Sequence, residues 1–258
     1  MNWLGKALRN GFKRRFTRGI AWSVQDCTLC GGPAGAKRKR LLCVACDVSL
    51  PARPDDACPQ CGIASPGALI CGDCLSDPPA FDAALTVFTY RFPLDQLIQS
   101  FKYASNLALA DFFAQKLVSC ARDHPLPQAL VAMPLGRRRL TERGFNQALL
   151  IADKAAQQLS LPIERTALVR VRETLPQSGL PWKERRANVK GAFACTTDLK
   201  GRHIALIDDV MTTGATLNEA AKVLKMQGAA RVTAWVIARA EKEVQSAGRE
   251  TETANFHV

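Results

Sequence analysis

Apolar and polar positions along residues 81–240 alternate in blocks that predict strands followed by helices. Short apolar runs predict buried strands, whereas apolar residues repeating every three or four positions predict amphipathic helices. The predicted strands are Ala83–Tyr90, Ala129–Met133, Ile163–Val169, His203–Ile207 and Arg231–Ala238. The predicted helices are one or two within Leu94–Ser119, then Asn146–Leu159 and Ala215–Gln227. This alternation predicts an α/β domain with a mostly parallel sheet, in which ligands bind at the carboxyl ends of the strands.

The chain outside residues 81–240 has a different pattern. Residues 1–26 combine aromatic and aliphatic side chains at near-helical spacing with many basic residues, and they predict a basic amphipathic segment. Residues 27–80 are rich in Cys, Gly and Pro and contain too few apolar residues for an ordinary core. Residues 241–258 are polar and predict a disordered tail. We therefore predict four parts: 1–26, a cysteine-rich module at 27–80, an α/β domain at 81–240, and the tail.

Composition places the chain among globular proteins. Its 258 residues are 47% hydrophobic and 22% charged, which excludes a wholly disordered or fibrous chain. No apolar run approaches the ~18 residues that a membrane span requires, so we predict no transmembrane segment. The first residues lack the apolar stretch of a secretory signal, and we predict a cytoplasmic protein. An organelle transit peptide stays open as the alternative, because the segment is rich in Arg and poor in acidic residues.

The net charge of +12 is concentrated near the N-terminus, where residues 1–50 hold +8 of it. A basic cluster within this part consists of Lys37, Arg38, Lys39 and Arg40. Such charge attracts phosphate backbones or anionic lipid without reading sequence. The aromatic residues of the segment 1–26 are suited to stacking on single-stranded bases or to entering a membrane interface. Three interpretations therefore stay open: binding of single-stranded DNA, binding of a membrane, or a segment that is solvated or docked on its own domain.

Eight of the ten cysteines form four CxxC pairs. Each pair presents two thiolates to one tetrahedral metal ion, and two pairs complete a four-thiolate zinc site. The pairs are Cys27 and Cys30, Cys43 and Cys46, Cys58 and Cys61, and Cys71 and Cys74. Their identical spacing argues against unrelated buried or disulfide-bonded cysteines, so we predict two structural zinc sites in a double zinc ribbon. Sequential pairing of the four turns gives the more compact arrangement, and interleaved pairing stays open.

The stretch His203–Leu217 carries the strongest functional signal. An apolar strand delivers two adjacent carboxylates to its carboxyl end, and a loop rich in Thr then begins a helix. The carboxylates are Asp208 and Asp209, and the loop is Thr212, Thr213, Gly214, Ala215 and Thr216. Backbone N–H groups, hydroxyls and the positive helix end of such a loop bind phosphate, and Gly214 permits a close approach of the backbone. The absence of GxxxxGK[ST] and GxGxxG motifs disfavours P-loop nucleotidases and dinucleotide-binding proteins.

The thirteen positions Ile204–Thr216 resemble the signature of the type I phosphoribosyltransferases, which bind 5-phosphoribosyl-1-pyrophosphate (PRPP). The resemblance implies that Asp208 and Asp209 face the ribose hydroxyls and that Thr212–Thr216 hold the 5′-phosphate. It also implies that Mg²⁺ accompanies PRPP. The fold that it implies is an α/β domain with a mostly parallel sheet of the type I phosphoribosyltransferase kind, preceded by the small zinc-ribbon domain.

Further motifs narrow the resemblance to the competence protein F family. Besides the cysteine module, they are Phe101-Lys-Tyr103, Arg143-Gly-Phe-Asn-Gln147 and Arg185-x2-Asn188-x2-Gly191-Ala-Phe193. That family includes proteins linked to DNA uptake in natural transformation and proteins linked to the use of DNA as a nutrient. The resemblance therefore implies a role in DNA uptake or utilisation, with a DNA-uptake helicase machinery as a partner.

The resemblance also places a pyrophosphate loop at residues 133–147 and a closing lid at residues 172–185. The predicted pyrophosphate-binding residues are Leu135, Gly136, Arg137 and Arg143. The predicted lid residues are Arg172, Gln177 and Arg185. A lid of this kind excludes water from the reaction. A solvated basic loop or a nucleic-acid contact is the alternative for the arginines, and an inert surface loop is the alternative for the lid.

The sequence does not identify the group that would accept the phosphoribosyl unit. A glutamine-dependent amidotransferase would use an N-terminal Cys nucleophile, and the chain instead starts Met-Asn. Two hypotheses stay open. The first is Mg²⁺-dependent transfer of a phosphoribosyl group from PRPP. The second is a non-catalytic, DNA-binding accessory factor whose PRPP site senses nucleotide status; the complete pyrophosphate loop and lid favour transfer.

Overall fold

The computed structural model describes residues 26–35, 40–104, 106–174 and 182–241, without the side chains of residues 182, 183 and 185. Several sequence predictions lie outside these residues. They concern nearly all of the basic segment, the tail, the cluster residues Lys37, Arg38 and Lys39, and the lid residue Gln177. Among the described helices, none is long and apolar enough to cross a bilayer.

The cysteine-rich part contains little regular structure. It holds two short helices, α1 (Val44–Val48) and α2 (Gly72–Ser76), and a 3₁₀ turn at Pro66–Ala68. Each α-helix begins directly after a cysteine, because Cys43 and Cys71 are the N-cap residues. In α1 the Cys43 sulfur accepts a hydrogen bond from the Cys46 N–H at 3.4 Å. The cysteines thus organise the local backbone of this module.

The α/β part is built on a parallel sheet, as the alternating pattern predicts. Its strands lie in the order β1-β6-β5-β2, and each neighbouring pair is parallel. A separate antiparallel pair is formed by β3 and β4. The strands are β1 (Ala83–Thr89), β2 (Ala129–Ala132), β3 (Leu168–Arg170), β4 (Phe193–Cys195), β5 (His203–Met211) and β6 (Arg231–Arg239).

Helices cover both faces of the parallel sheet. The described helices of this part of the chain are α3 (Leu94–Tyr103), α4 (Ala108–Ala121), α5 (Arg137–Arg143), α6 (Gln147–Leu159), α7 (Trp182–Val189) and α8 (Ala215–Met226). Alternate residues of β5 point to opposite faces: Ala205 and Ile207 pack in the core that contains α3, α4 and α6, whereas Ile204 and Leu206 pack in the core that contains α8. Burial on both faces explains why β5 and β6 are nearly continuous apolar runs.

Two predicted strands differ from the observed ones. The strand predicted at His203–Ile207 does not stop at the aspartates but continues to Met211, because its pairing with β6 extends through Asp208↔Val236 to Met211↔Arg239. The strand predicted at Ile163–Val169 is shorter and shifted. Ile163 forms an isolated bridge to Leu130, and β3 pairs with β4 away from the main sheet.

Two segments predicted as loops contain helices. Residues 137–143 of the predicted pyrophosphate loop form α5, which ends at Gly144, where φ is +77°. Glycine adopts this left-handed conformation without the cost that a Cβ brings, and it commonly ends helices. Residues 182–189 of the predicted lid form α7. The loop prediction was wrong for these two segments, because both are rich in basic and polar residues and lack the apolar repeat that would have indicated a helix.

The cysteine-rich module packs along the outer edge of β1. Its residue Ala52 forms an antiparallel bridge with Phe88, and the Thr89 N–H donates to the Pro51 carbonyl at 2.9 Å. The Arg53 N–H donates to the Val87 carbonyl at 3.3 Å. These contacts cover the exposed edge of the sheet. The module is thereby held beside the carboxyl ends of β1 and β6.

Candidate functional site

A cleft of about 620 Å³ opens at the carboxyl ends of β2 and β5. The position agrees with the expectation for ligand sites in open parallel sheets. Residues from several elements line the cleft: Lys102 and Tyr103 of α3, Leu135 after β2, Arg139 and Arg143 of α5, Arg170 of β3, Asp208 and Asp209 of β5, and Thr212 and Thr216 of the loop that follows. The fold therefore gathers carboxylates, hydroxyls and basic side chains in one place.

The two predicted ribose-binding aspartates lie side by side within β5. The Asp209 N–H donates to Asp208 Oδ1 at 2.8 Å, and the Val210 N–H donates to Asp209 Oδ1 at 2.9 Å. Lys102 Nζ lies 2.6 Å from Asp209 Oδ2. The two carboxyls thus have different surroundings, since a lysine from the opposite wall of the cleft contacts Asp209.

This difference separates the pKa values of the two aspartates. Burial, and then the neighbouring Asp209 carboxylate, raises the pKa of Asp208 to about 8. Burial alone would also raise the pKa of Asp209, but the ammonium of Lys102 outweighs it and lowers that pKa below its ordinary value. At neutral pH the pair therefore favours an ionised Asp209 and a protonated Asp208.

The predicted phosphate loop connects β5 to α8. Gly214 has φ +78° and directly precedes Ala215, the first residue of α8. A Cβ at this position would meet ordinary van der Waals contacts, so the left-handed conformation, rather than crowding by the protein, requires the glycine. The Thr213 hydroxyl accepts a hydrogen bond from the Ala215 N–H at 3.1 Å. Thr212 and Thr216 line the cleft, whereas Thr213, Gly214 and Ala215 line a second cavity behind the loop.

The predicted pyrophosphate residues are divided between the cleft and its rim. Leu135 and Arg143 line the cleft, and Arg143 donates to the Tyr103 hydroxyl at 3.2 Å. Gly136 and Arg137 lie at the rim, where the Glu173 carboxylate covers them. The Arg137 N–H donates to Glu173 Oε1 at 2.6 Å, and a Cβ on Gly136 would lie 2.5 Å from Glu173 Oε2. An acidic side chain thus occupies the backbone donor of the predicted anion-binding loop.

Asn146 holds this loop in position. Its Nδ2 donates to the Met133 carbonyl at 3.0 Å, and its Oδ1 accepts from the Leu149 N–H at 3.3 Å in the first turn of α6. The side chain therefore caps α6 and fixes the end of β2 at once. This contact gives a physical reason for an asparagine in the motif at residues 143–147.

Sequence reasoning placed Arg139 near the pyrophosphate but assigned no site role to Lys102, Tyr103 or Arg170, and all four residues line the cleft. Arg170 is the last residue of β3, and its guanidinium lies 5.2 Å from the centre of the Phe193 ring. Burial, and then the charge of Arg139, lowers the pKa of Arg170. A basic residue directly after the strand predicted at 163–169 was the available signal for Arg170. Lys102 comes from a helix whose packing across the cleft no local pattern reveals.

Arg172, the predicted lid residue whose side chain is described, lies away from the cleft. Arg172 donates to the Asn188 carbonyl at 3.0 Å and to the Lys190 carbonyl at 2.6 Å, and it does not line the cleft. It ties the segment after β3 to the end of α7. Arg185 lies on α7, and its side chain is outside the described residues, as is Gln177.

The eight paired cysteines form two clusters. Their sulfur atoms lie within 4.8 Å of one another in each cluster. The first cluster is Cys27, Cys30, Cys43 and Cys46, and the second is Cys58, Cys61, Cys71 and Cys74. This grouping is the sequential arrangement of the four turns. Burial alone would raise the pKa of Cys58, but the backbone amides of Cys71, Cys61 and Gln60 lower it to about 7, whereas burial raises the pKa of Cys61 and of Cys74 in the same cluster.

The basic cluster between the first two cysteine pairs is described at Arg40, which is exposed. Arg40 borders a groove of about 750 Å³ between the first cysteine cluster and α4. The groove also contains Asp47 and Asp111, so its walls carry charges of both signs. The interpretation of the cluster as a nucleic-acid surface stays a prediction.

Comparisons with known proteins identify a domain family and several relatives of the chain. The model of the phosphoribosyl transferase domain matches residues 146–253. The DNA utilization protein YhgH of Escherichia coli O157:H7 is 37% identical over 206 residues, which cover 77% of this chain and 90% of the relative. Competence protein F of Haemophilus influenzae is 35% identical over 212 residues, covering 78% and 92%. Competence protein ComFC of Bacillus subtilis is 30% identical over 207 residues, covering 77% and 84%.

Solved structures show a weaker likeness. Adenine phosphoribosyltransferase from Leishmania tarentolae is 15% identical to this chain, with a TM-score of 0.37. The match covers 64% of this chain and 92% of that chain. The purine phosphoribosyltransferase from Pyrococcus horikoshii is 18% identical, with a TM-score of 0.33 over 50% and 71%.

Proposed function

The chain belongs to the competence protein F family, and from this membership we propose that it binds PRPP in the cleft and transfers its phosphoribosyl group to an acceptor. The family model identifies a phosphoribosyl transferase domain. We propose further that this domain is catalytic and that Mg²⁺ accompanies the substrate. The relatives are named for DNA utilisation and competence, and we propose that the chain acts in the same processes.

The arrangement of charges around the cleft is the observation that carries the proposal. Asp208 and Asp209 provide carboxyl oxygens suited to accepting hydrogen bonds from two neighbouring ribose hydroxyls. Thr212 and Thr216 lie beside them on the loop that begins α8, where a phosphate is stabilised by N–H groups and the helix dipole. Arg139, Arg143 and Arg170 line another part of the cleft. A ligand with a diol in its middle and anionic groups at both ends fits this order.

Cations and oriented donors suit the chemistry of PRPP. Breaking the C1–O bond builds positive charge on the ribose and negative charge on the departing pyrophosphate. Arg139, Arg143 and Arg170 are the side chains that would stabilise the departing pyrophosphate. The oxygen atoms of a pyrophosphate are ligands that Mg²⁺ prefers, and bound Mg²⁺ would neutralise part of the same charge. The Asp209 carboxylate, which Lys102 contacts, would hold the ribose in place while the bond breaks.

The cysteine clusters fit zinc. Four sulfur atoms gathered within 4.8 Å match the ligand set of a tetrahedral structural zinc site, and two clusters give two sites. All four positions of each site would be filled by thiolate, so neither zinc would act in catalysis. Metal binding would instead supply the folding free energy that a module with so little apolar core does not obtain from burial.

The names of the relatives and the basic cluster are the grounds for proposing DNA and protein partners. We propose that Lys37, Arg38, Lys39 and Arg40 form part of a surface for single-stranded DNA, and that the chain works in the cytoplasm with the DNA-uptake helicase machinery. The names of the relatives refer to DNA utilisation or to competence rather than to a transfer reaction. This observation favours the second candidate, a non-catalytic DNA-binding factor whose PRPP site senses nucleotide status.

Binding and turnover are tested by calorimetry with PRPP and Mg²⁺, and by a pyrophosphate-release assay with a panel of bases, amines and DNA. We expect PRPP to bind and at least one acceptor to release pyrophosphate. The control is the double variant Asp208→Asn with Asp209→Asn, which should lose both signals while keeping its fold by circular dichroism. PRPP binding without release from any acceptor would support the sensor. A folded wild-type chain that does not bind PRPP would refute both candidates.

A further inference from the structure

Arg239 connects the second cysteine cluster to the loop that follows β5. It is the last residue of β6, and its side chain is 6% exposed. Its Nε donates to the Cys61 carbonyl at 2.8 Å. Its Nη1 donates to the Met211 carbonyl at 3.2 Å, to the Ala240 carbonyl at 2.7 Å, and to the Thr212 carbonyl. A single guanidinium therefore bonds to a metal-ligand turn and to the start of the predicted phosphate loop.

The geometry of a guanidinium explains why arginine suits this position. Its donors project in a rigid planar fork, so carbonyls from separate segments are fixed in direction as well as in distance. Hydrogen bonds to a charged group are stronger than those between neutral groups, and a buried charge that loses them is costly. Arg239 also lines the cavity behind the loop, together with Cys61, Cys74, Thr213 and Gly214. The loop is therefore supported from behind by the side chain of β6.

The turn at Cys61 is itself fixed against the sheet. Gly62 follows with φ +73°, and a Cβ on Gly62 would lie 2.5 Å from Cγ2 of Thr86. Thr86 belongs to β1 and is 1% exposed. The turn that carries the Cys61 carbonyl therefore has no room to shift toward the sheet. The position of this acceptor for Arg239 is thus fixed. The first cysteine cluster lies elsewhere, against α4, where Lys116 and Asp47 form an ion pair at 2.7 Å.

We propose that Arg239 is a positioning residue for the phosphate loop and that the second cysteine cluster, but not the first, sets the loop's geometry through it. This inference rests on the proposed function, because it assigns the 5′-phosphate to Thr212–Thr216. An ordered Cys61 turn holds Arg239, and Arg239 holds the Met211 and Thr212 carbonyls so that the N–H groups that follow face the ligand. The affinity of the loop for phosphate therefore depends on the integrity of the second cluster.

The test separates the two ends of the ligand site. Ribose 5-phosphate probes the loop at residues 212–216, and inorganic pyrophosphate with Mg²⁺ probes the region of Arg139 and Arg143. We expect Arg239→Lys and Arg239→Met to weaken ribose 5-phosphate binding about tenfold or more, as the loss of a charged hydrogen bond predicts. Pyrophosphate affinity should change less than about twofold. The matched control is Arg202→Lys; Arg202 pairs with Glu164 at 2.9 Å at the opposite end of β5 and should affect neither ligand.

A second pair of variants keeps the test decisive if the Arg239 variants do not fold. Cys30→Ser and Cys61→Ser alter equivalent positions of the two clusters, and zinc content is measured for each. We expect Cys61→Ser to weaken ribose 5-phosphate binding more than Cys30→Ser, with pyrophosphate binding retained in both. Equal effects of the two cysteine variants, or unchanged ribose 5-phosphate affinity in folded Arg239→Met, would overturn the inference. A wild-type chain that binds neither probe would instead refute the proposed function.

Discussion

The ammonium of Lys102 lies 2.6 Å from the carboxylate of Asp209 and bridges two walls of the cleft. Lys102 belongs to α3 and Asp209 to β5, so the contact joins a helix over the cleft to the strand that carries the paired carboxyls. Because the ammonium keeps the pKa of Asp209 low, it keeps this carboxylate ionised beside Asp208. The chemistry of the pair thus depends on a residue 107 positions earlier in the chain.

Removal of Lys102 should change the pH dependence of ribose binding. A carboxylate accepts hydrogen bonds from hydroxyls better than a neutral carboxyl does, so wild-type affinity for ribose 5-phosphate should rise with pH as Asp208 ionises around pH 8. In Lys102→Met the pKa of Asp209 should rise, and binding should weaken about tenfold at pH 7. Calorimetry from pH 6 to 9 measures both effects. Lys154→Met is the control, since Lys154 pairs with Asp111 away from the cleft; parallel pH profiles for wild type and Lys102→Met would contradict the prediction.

Asp208→Asn should stabilise the fold in a pH-dependent way. The folded-state pKa of about 8 lies above the ordinary value of 3.8, so the stabilising contribution of the protonated carboxyl is complete below about pH 4 and is lost as the pH rises through about 8. The asparagine variant does not titrate and escapes this loss. Because this loss accumulates between about pH 4 and pH 8, we expect the gain over wild type to be larger at pH 8.5 than at pH 5, by up to about 4 kcal/mol. Thermal unfolding at the two pH values measures the difference, and an equal shift at both would refute it.

Glu173→Gln should strengthen pyrophosphate binding. The Glu173 carboxylate accepts the Arg137 N–H at 2.6 Å and covers Gly136, so an anion that binds this loop must displace it. Glutamine keeps the shape but removes the charge that repels and competes with a phosphate. We expect affinity for pyrophosphate with Mg²⁺ to rise about three- to tenfold by calorimetry. Glu164→Gln is the control, because Glu164 pairs with Arg202 at the opposite end of β5 and does not line the cleft. Unchanged or weaker pyrophosphate binding in Glu173→Gln would show that this loop does not receive the anion.

Gly62→Ala should destabilise the chain more than Gly31→Ala. Both glycines follow the second cysteine of a CxxC turn and have nearly equal φ, +73° and +70°. An added Cβ has open space at Gly31, but at Gly62 it would lie 2.5 Å from Cγ2 of Thr86. We expect about 1 kcal/mol of backbone strain in both variants and about 1 to 3 kcal/mol more in Gly62→Ala. Denaturant unfolding measures the difference, and Thr86→Ser in the Gly62→Ala background should restore part of the loss. Equal destabilisation would contradict the packing described at Cys61.

Neutral replacement of the basic cluster should reduce the salt dependence of DNA binding. Each contact between a basic side chain and a phosphate releases counterions, which makes affinity fall with rising salt. Replacing Lys37, Arg38, Lys39 and Arg40 with Gln should lower affinity for single-stranded DNA and flatten the plot of log K against log salt by about 0.7 per lost contact. Fluorescence anisotropy from 50 to 200 mM salt measures the slope. PRPP binding by the same variant is the control and should not change, and an unaltered slope would exclude this cluster.

The sequence determined the features that arise from local spacing. The apolar periodicity was sufficient to predict the parallel sheet and the helices α6 and α8. An element that is buried on one or two faces repeats its apolar residues at a fixed spacing. The identical CxxC spacing was sufficient for the eight clustered cysteines, because adjacent turns converge in a short segment. The motif at residues 204–216 identified Asp208, Asp209 and the threonine loop, since strand, loop and helix are consecutive there.

Only the tertiary structure determined which residues from distant segments of the chain contact one another. The pairing of β5 with β6, rather than any change in composition, carries the strand past the aspartates to Met211. Lys102 reaches Asp209, Glu173 covers Gly136, and Arg239 joins Cys61 to Thr212, each across many residues of chain. Such contacts depend on how helices and turns pack around the sheet, and a local hydrophobic pattern does not encode that packing. The sequence therefore indicated the paired aspartates and the threonine loop. The fold determined the charge states of the two carboxyls and the contacts that hold the loop in position.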